Sequence, residues 1–182
     1  MTSDDELMRR VREGSGEAFE TLFERYRGPV WQFFRRRTPN AAVAQELAQD
    51  TFVAVLDARR RYTQRERFRA WLFGIAYHVL MADRRKRVRR STEPLLDDPP
   101  NPGSGDIDEG IWVRNAIASL DENEREILML REYEQLSYDE IADVRGVPVN
   151  TVRSQLFRAR AALKQALEPQ AAPSATRTIH GR

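Results

Sequence analysis

The chain has 182 residues, enough for one ordinary domain or two small ones. Thirty Lys and Arg stand against 28 Asp and Glu, and the absence of Cys excludes a disulfide scaffold, a thiol nucleophile and a Cys-based zinc site. Two histidines, His78 and His180, cannot build a histidine metal cluster. No apolar run approaches the roughly 18 residues of a spanning helix, and the acidic start MTSDDELMRR is no signal peptide, so a soluble, cytoplasmic protein is expected.

The formal charge of +2 conceals a strong partition. Residues 1–90 carry 20 Lys and Arg against 12 Asp and Glu, a net of +8. Residues 91–125 carry 2 against 9, a net of −7, and residues 126–182 carry a net of +1. Within the first block the cations gather at Arg35 to Arg37, Arg59 to Arg61 and the run RRKRVRR at 84–90. One such run fits a solvated helix face as well as it fits a polyanion site. Three runs around an aromatic-rich segment favour nucleic acid.

In chain order, Ala18, Phe19, Leu22, Phe23 and Tyr26 form one helical stripe. Gly28 and Pro29 predict a break, with a second helix carrying Val30, Phe33 and Phe34. A third helix repeats Ala44, Leu47, Ala48, Thr51, Phe52, Val55 and Leu56 at three and four. A fourth starts near Phe68 and runs through FRAWLFGIAYHVLMADRRKR, apolar nearly all round and therefore mostly buried. Residues 91–110 hold four Pro, three Gly and six acids without a period, which reads as a flexible acidic linker. The tail 169–182 lacks large apolar residues and reads as disordered. The expected architecture is all-α: two small helical domains, at 1–90 and 111–168, tethered so that their relation varies.

The second domain holds the clearest motif, LSYDEIADVRGVPVNTVRSQLFRARAALK at 136–164. Ser137 with Glu140 makes a capping box, in which the hydroxyl takes one orphan amide and the carboxylate another. Ala142 permits a close helix crossing, Gly146 supplies the positive φ of a tight turn, and Pro148 presets the next helix. Val152, Leu156, Ala159 and Leu163 then face inward. This spacing is that of a helix-turn-helix, whose second helix enters the major groove. Projection at about 100° per residue puts Asn150, Arg153, Ser154, Phe157 and Arg158 outward. An outward Phe157 has no packing reason, whereas a thymine methyl or sugar edge would cover it. A purely packing hairpin or a protein-binding face is the alternative.

With both domains described, the chain resembles a bacterial extracytoplasmic-function (ECF) sigma factor of the sigma-70 family. The first domain is similar to region 2 in AFETLFERYRGPVWQFF, AQELAQDTF and FRAWLFGIAYHVL, and the second to region 4 from Ala118 to Lys164. Some 20 linker residues leave no room for a region 3, as in the ECF group. The resemblance implies a non-enzymatic, cofactor-free subunit that directs RNA polymerase core to promoters of a stress or envelope-response regulon. It implies docking of Glu46, Gln49, Asp50 and Phe52 on the clamp helices of the largest subunit, although Gln49 and Asp50 also suit a plain solvent face. A second contact is implied to the flap of the second-largest subunit. Asn150, Thr151, Arg153, Ser154, Phe157 and Arg158 are implied to read the minus-35 element. Gln64, Arg65, Arg67, Trp71, His78, Arg84, Arg85 and Arg87 are implied to meet the minus-10 element.

Single strands are held by aromatic platforms and cations, which suits the expected loop YTQRER from Tyr62 to Arg67 and the helix after it, though Trp71 equally fits the core and Phe68 favours it. Three departures from the family stand out: His78 replaces the usual Asn, Ala82 replaces a polar residue, and Gln155 replaces a common basic one. An imidazole offers one donor and one acceptor where an amide has two donors, so an altered minus-10 preference is expected. An anti-sigma factor is a further implied partner, one able to hold the chain at the membrane; no small-molecule substrate, metal or direct membrane insertion is expected. A conventional helix-turn-helix repressor or activator is the competing reading.

Overall fold

The computed structural model describes residues 2–63, 67–90 and 109–168. Among them the chain is helical without strands: α1 (Asp4–Arg12), α2 (Gly16–Arg35), α3 (Ala41–Ala58), a 3-10 turn (Arg59–Arg61), α4 (Phe68–Arg90), α5 (Glu109–Ala118), α6 (Glu122–Glu132), α7 (Tyr138–Arg145) and α8 (Val149–Leu167). The sequence reading of the acidic linker and of the tail falls outside these residues, apart from α5 starting at Glu109.

Side-chain caps start most of the helices. Ser3, Ser15, Asn40 and Asp121 accept from the amides of Glu6, Ala18, Ala42 and Asn123, each satisfying a donor that has no intrahelical partner. At the far end of α2, the Thr38 hydroxyl donates to the Phe34 carbonyl at 2.9 Å. One expectation is corrected here: α2 does not break at Gly28 but continues through Pro29 to Arg35. Proline forfeits one hydrogen bond inside a helix. Leu22, Tyr26, Val30, Phe33 and Phe34 form an unbroken buried stripe across it, and their burial outweighs that loss at about 1.5–3 kcal/mol per large side chain.

The first lobe packs α2 on α3 and α3 on α4, with α1 laid across α2. Asp4 and Asp5 hold α1 in place. Tyr26 donates to Asp4 at 2.6 Å and Tyr62 donates to Asp5, while Arg25 pairs with Asp4. Burial and the neighbouring carboxylates push both phenols well above their ordinary range. The second lobe packs α6, α7 and α5 on α8.

In this structure the two lobes are in contact. The buried residues of both form one apolar cluster, and α4 lies directly on α7. At this crossing Gly74 faces Val144: a Cβ built on Gly74 would sit 3.4 Å from Val144 Cγ2. Beside it, Arg37, with a side chain only 1% exposed, bonds Glu126 and Glu134 of the second lobe.

Candidate nucleic-acid interface

Helix α7 starts in the expected capping box: Ser137 Oγ accepts from the Glu140 amide at 3.2 Å, and Glu140 Oε2 accepts from the Ser137 amide at 2.7 Å. It stops at Gly146, whose φ of +64° is reached by glycine at little steric cost. Pro148 then caps α8 in extended backbone. Val152, Leu156 and Ala159 are buried, which fixes the rotation of α8. Asn150, Arg153, Ser154, Phe157 and Arg158 are therefore exposed together, with Thr151 half-buried at their edge.

Phe157 is 76% exposed, an unusual position for a large aromatic ring. Arg153 donates to Asn150 at 3.4 Å, a long contact that leaves its guanidinium in solvent. Gln155 has a role the sequence did not reveal. It is half-buried and accepts from Arg145 at 3.1 Å, which ties α8 to α7 behind the exposed face.

The candidate residues of the first lobe are spread more widely. Gln64 and Arg65 lie outside the described residues. Arg67 is exposed and approaches Asp143 of α7 at 3.8 Å. Trp71 is half-buried and packs on the core, its ring 4.9 Å from that of Tyr62 and 6.1 Å from that of Phe68. Tyr62, which the sequence places in the loop, is a core residue, and Phe68 is buried as its spacing suggests. Two turns on from Trp71, His78 is exposed on α4. Arg85 and Arg87 are exposed at its basic end, where Arg87 pairs with Asp83 at 2.7 Å. Arg84 instead turns to the second lobe and meets Glu122 at 2.7 Å.

On α3, Glu46, Gln49 and Asp50 are exposed along one face. Phe52 is not on that surface as a free side chain. It is buried against Phe23, with ring centroids 4.8 Å apart, and shows only an edge. That edge forms the floor of a groove of about 470 Å³ with Phe23 and Trp31, while Arg27, Gln45 and Gln49 make the rim. Val53, 58% exposed three residues after Asp50, continues the face. An apolar residue on an acidic helix face was the signal that would have found it.

Among the described residues no group of three or more His, Cys, Asp or Glu is placed to hold a metal, and no helix is long and apolar enough to cross a membrane.

Comparison with known proteins gives the family and the fold. Residues 22–90 match the family Sigma-70 region 2, and residues 111–163 match Sigma-70, region 4. The chain is 32% identical to the RNA polymerase sigma-H factor of Pseudomonas aeruginosa, over 91% of this chain and 94% of that protein. It is 37% identical to the ECF RNA polymerase sigma factor SigC of Mycobacterium tuberculosis, over 92% and 95%. The structure of CnrH in complex with the cytosolic domain of CnrY superposes with a TM-score of 0.70, at 27% identity over 93% of this chain and 100% of that one. RpoE of Bartonella quintana, in complex with the anti-sigma factor NepR, shares the fold with a TM-score of 0.66 at 23% identity, over 84% and 98%. Matches across both lobes leave the repressor reading without support. The chain belongs to the extracytoplasmic-function RNA polymerase sigma factors of the sigma-70 family.

Proposed function

We propose that this sigma factor docks on RNA polymerase core through α3 and reads its promoter at two separate places. The observation that carries the reading is the outward arc of α8. Arg153, Arg158, Asn150 and Ser154 surround an exposed Phe157 there, with Thr151 at the margin. The cations would meet phosphates or guanine edges of the minus-35 element, and the ring a thymine methyl. At the minus-10 element, Arg67, Arg84, Arg85 and Arg87 of the first lobe would hold the backbone by charge, together with Arg65, and Gln64 would contribute its amide. His78, exposed on the same helix, supplies one donor and one acceptor and shifts base preference away from that of an amide. Trp71 takes a lesser part, since its ring is committed to Tyr62 and Phe68.

Glu46, Gln49 and Asp50 suit a basic partner surface, and the apolar groove beside Gln49 suits an apolar anchor from it. We assign this face to the clamp helices of the polymerase largest subunit, and the second lobe to the flap of the second-largest. Two structural neighbours are held by a second protein, NepR being an anti-sigma factor, which supports a protein inhibitor of this chain too. On this reading the factor works in the cytoplasm on a stress or envelope-response regulon. The inhibitor is the membrane link where there is one.

Promoter footprinting tests the assignment. Arg153→Ala and Arg158→Ala should lose upstream protection while core affinity stays unchanged. Asp50→Ala should weaken core binding and leave duplex contacts intact. Unchanged footprints in the arginine variants would overturn the recognition face.

A further inference from the structure

Helix α1 carries none of the residues assigned above to polymerase or promoter, yet its first turn meets the aromatic cluster at the start of α4. Asp4 and Asp5 are half-buried there. The Tyr62 hydroxyl donates to Asp5, and Arg12 Nη1 donates to the Tyr62 carbonyl at 3.4 Å. The Tyr26 hydroxyl donates to Asp4 at 2.6 Å, and Arg25 donates to the other oxygen of the same carboxylate at 2.6 Å. Ionised carboxylates sit well in the first turn of a helix, so α1 offers two adjacent strong acceptors.

Both phenols lead to the same place. The Tyr62 ring stands 6.0 Å from that of Phe68 and 4.9 Å from that of Trp71, and the Tyr26 ring stands 5.4 Å from Phe68. Tyr26, Tyr62 and Phe68 are buried, while Trp71 keeps part of its surface in solvent. Phe68 is the first residue of α4, and the Arg67 carbonyl before it accepts from the Trp71 amide at 3.0 Å. A rotation of the Tyr62 ring therefore moves Trp71, and a shift of Phe68 moves Arg67. Packing alone does not call for the hydroxyls. A phenylalanine at 26 or 62 would fill nearly the same space, and burying a hydroxyl costs free energy until an acceptor is supplied. What the hydroxyls add is direction, since a ring tied at its far end by a charge-assisted bond keeps one orientation.

We propose that Asp4 and Asp5 are positioning residues for the minus-10 contact: through Tyr26 and Tyr62 they fix the Trp71 ring and the start of α4, where Arg67 is exposed. The inference rests on the assignment of Arg67 and Trp71 to that element. A surface already held in its binding geometry loses less freedom when the strand arrives.

The test uses holoenzyme reconstituted from this chain and polymerase core. The probes are the minus-10 single strand and the minus-35 duplex of a promoter at which the parent chain starts transcription, each read by fluorescence anisotropy. Tyr62→Phe keeps the ring and loses the hydroxyl, Asp5→Ala removes the acceptor, and Asp5→Asn keeps an acceptor oxygen. Circular dichroism sets a temperature at which every variant is folded. Tyr62→Phe and Asp5→Ala should each weaken single-strand binding about fivefold, the size of one net hydrogen bond in an equilibrium constant. The double variant should lose no more than either alone, Asp5→Asn should stay near the parent, and duplex affinity should not change. Arg67→Ala with Trp71→Leu, the control for the assignment itself, should also bind the single strand more weakly. Unchanged single-strand affinity in Tyr62→Phe and Asp5→Ala, with the control weakened, overturns the positioning and leaves the minus-10 reading standing. Equal losses for strand and duplex make the bond structural only and overturn it as well. Losses that add in the double variant overturn the bond as the device. An unweakened control overturns the minus-10 assignment of Arg67 and Trp71, and the inference with it.

Discussion

Arg37 Nε donates to Glu126 Oε1 at 2.7 Å across 89 residues of sequence, and both side chains are almost wholly removed from solvent. The guanidinium also lies 3.8 Å over the Phe33 ring and bonds the Phe33 carbonyl, so the first lobe aims it at the second. Removing one member of such a set leaves charge buried without a partner.

Arg37→Ala should therefore cost about 3–5 kcal/mol, expressed in the coupling of the lobes rather than within either. Chemical denaturation checks this. A single cooperative transition should separate into two, and an unchanged single transition would count against Arg37 as the group that couples the lobes.

Glu134 gives the coupling a pH dependence. Burial pushes its carboxyl above the ordinary value of 4.5, against the opposing pull of Arg37, Arg36 and Arg69. The packed state thus keeps a proton that the exposed carboxyl has released. Its contribution is full below about 4.5 and is lost as pH rises through the raised value. Melting temperatures measured upward from that pH should show this decline in the parent chain and a flatter profile in Glu134→Gln. Equal slopes would contradict it.

Phe157→Ala separates stability from recognition. The ring is exposed, so unfolding free energy should change by no more than about 0.5 kcal/mol. Affinity for a minus-35 duplex should fall about tenfold, or 1.4 kcal/mol, by fluorescence anisotropy. Loss of stability without loss of affinity would make the ring structural.

Val53→Asp probes the polymerase face in the same way. The side chain is exposed on α3, so the fold should tolerate it, while core binding by pull-down or surface resonance should weaken at least tenfold. Retained binding would move the docking surface off α3.

Ser137→Ala removes one half of the capping box and should cost about 1 kcal/mol by thermal denaturation. An effect within error would mean the Glu140 carboxylate alone holds the start of α7.

What the sequence disclosed was local. The Ser137 box, the Gly146 turn and the outward arc of α8 follow from spacings of three and four residues, and the structure realises each of them. Gly28 and Pro29 misled because a breaker signal is weaker than a buried stripe that crosses it. Tyr62 misled because its partner Asp5 is 57 residues away. The meeting of Arg37 with Glu126 and Glu134 is equally silent in sequence: a basic run and scattered acids carry no mark of which will be buried together.

The most direct measurement is start-site mapping with purified core polymerase and supercoiled promoter template. The account predicts discrete initiation that requires this chain and shifts or vanishes with Arg153→Ala and Arg158→Ala together. Initiation at the same site with core alone, or none with the chain present, would contradict it.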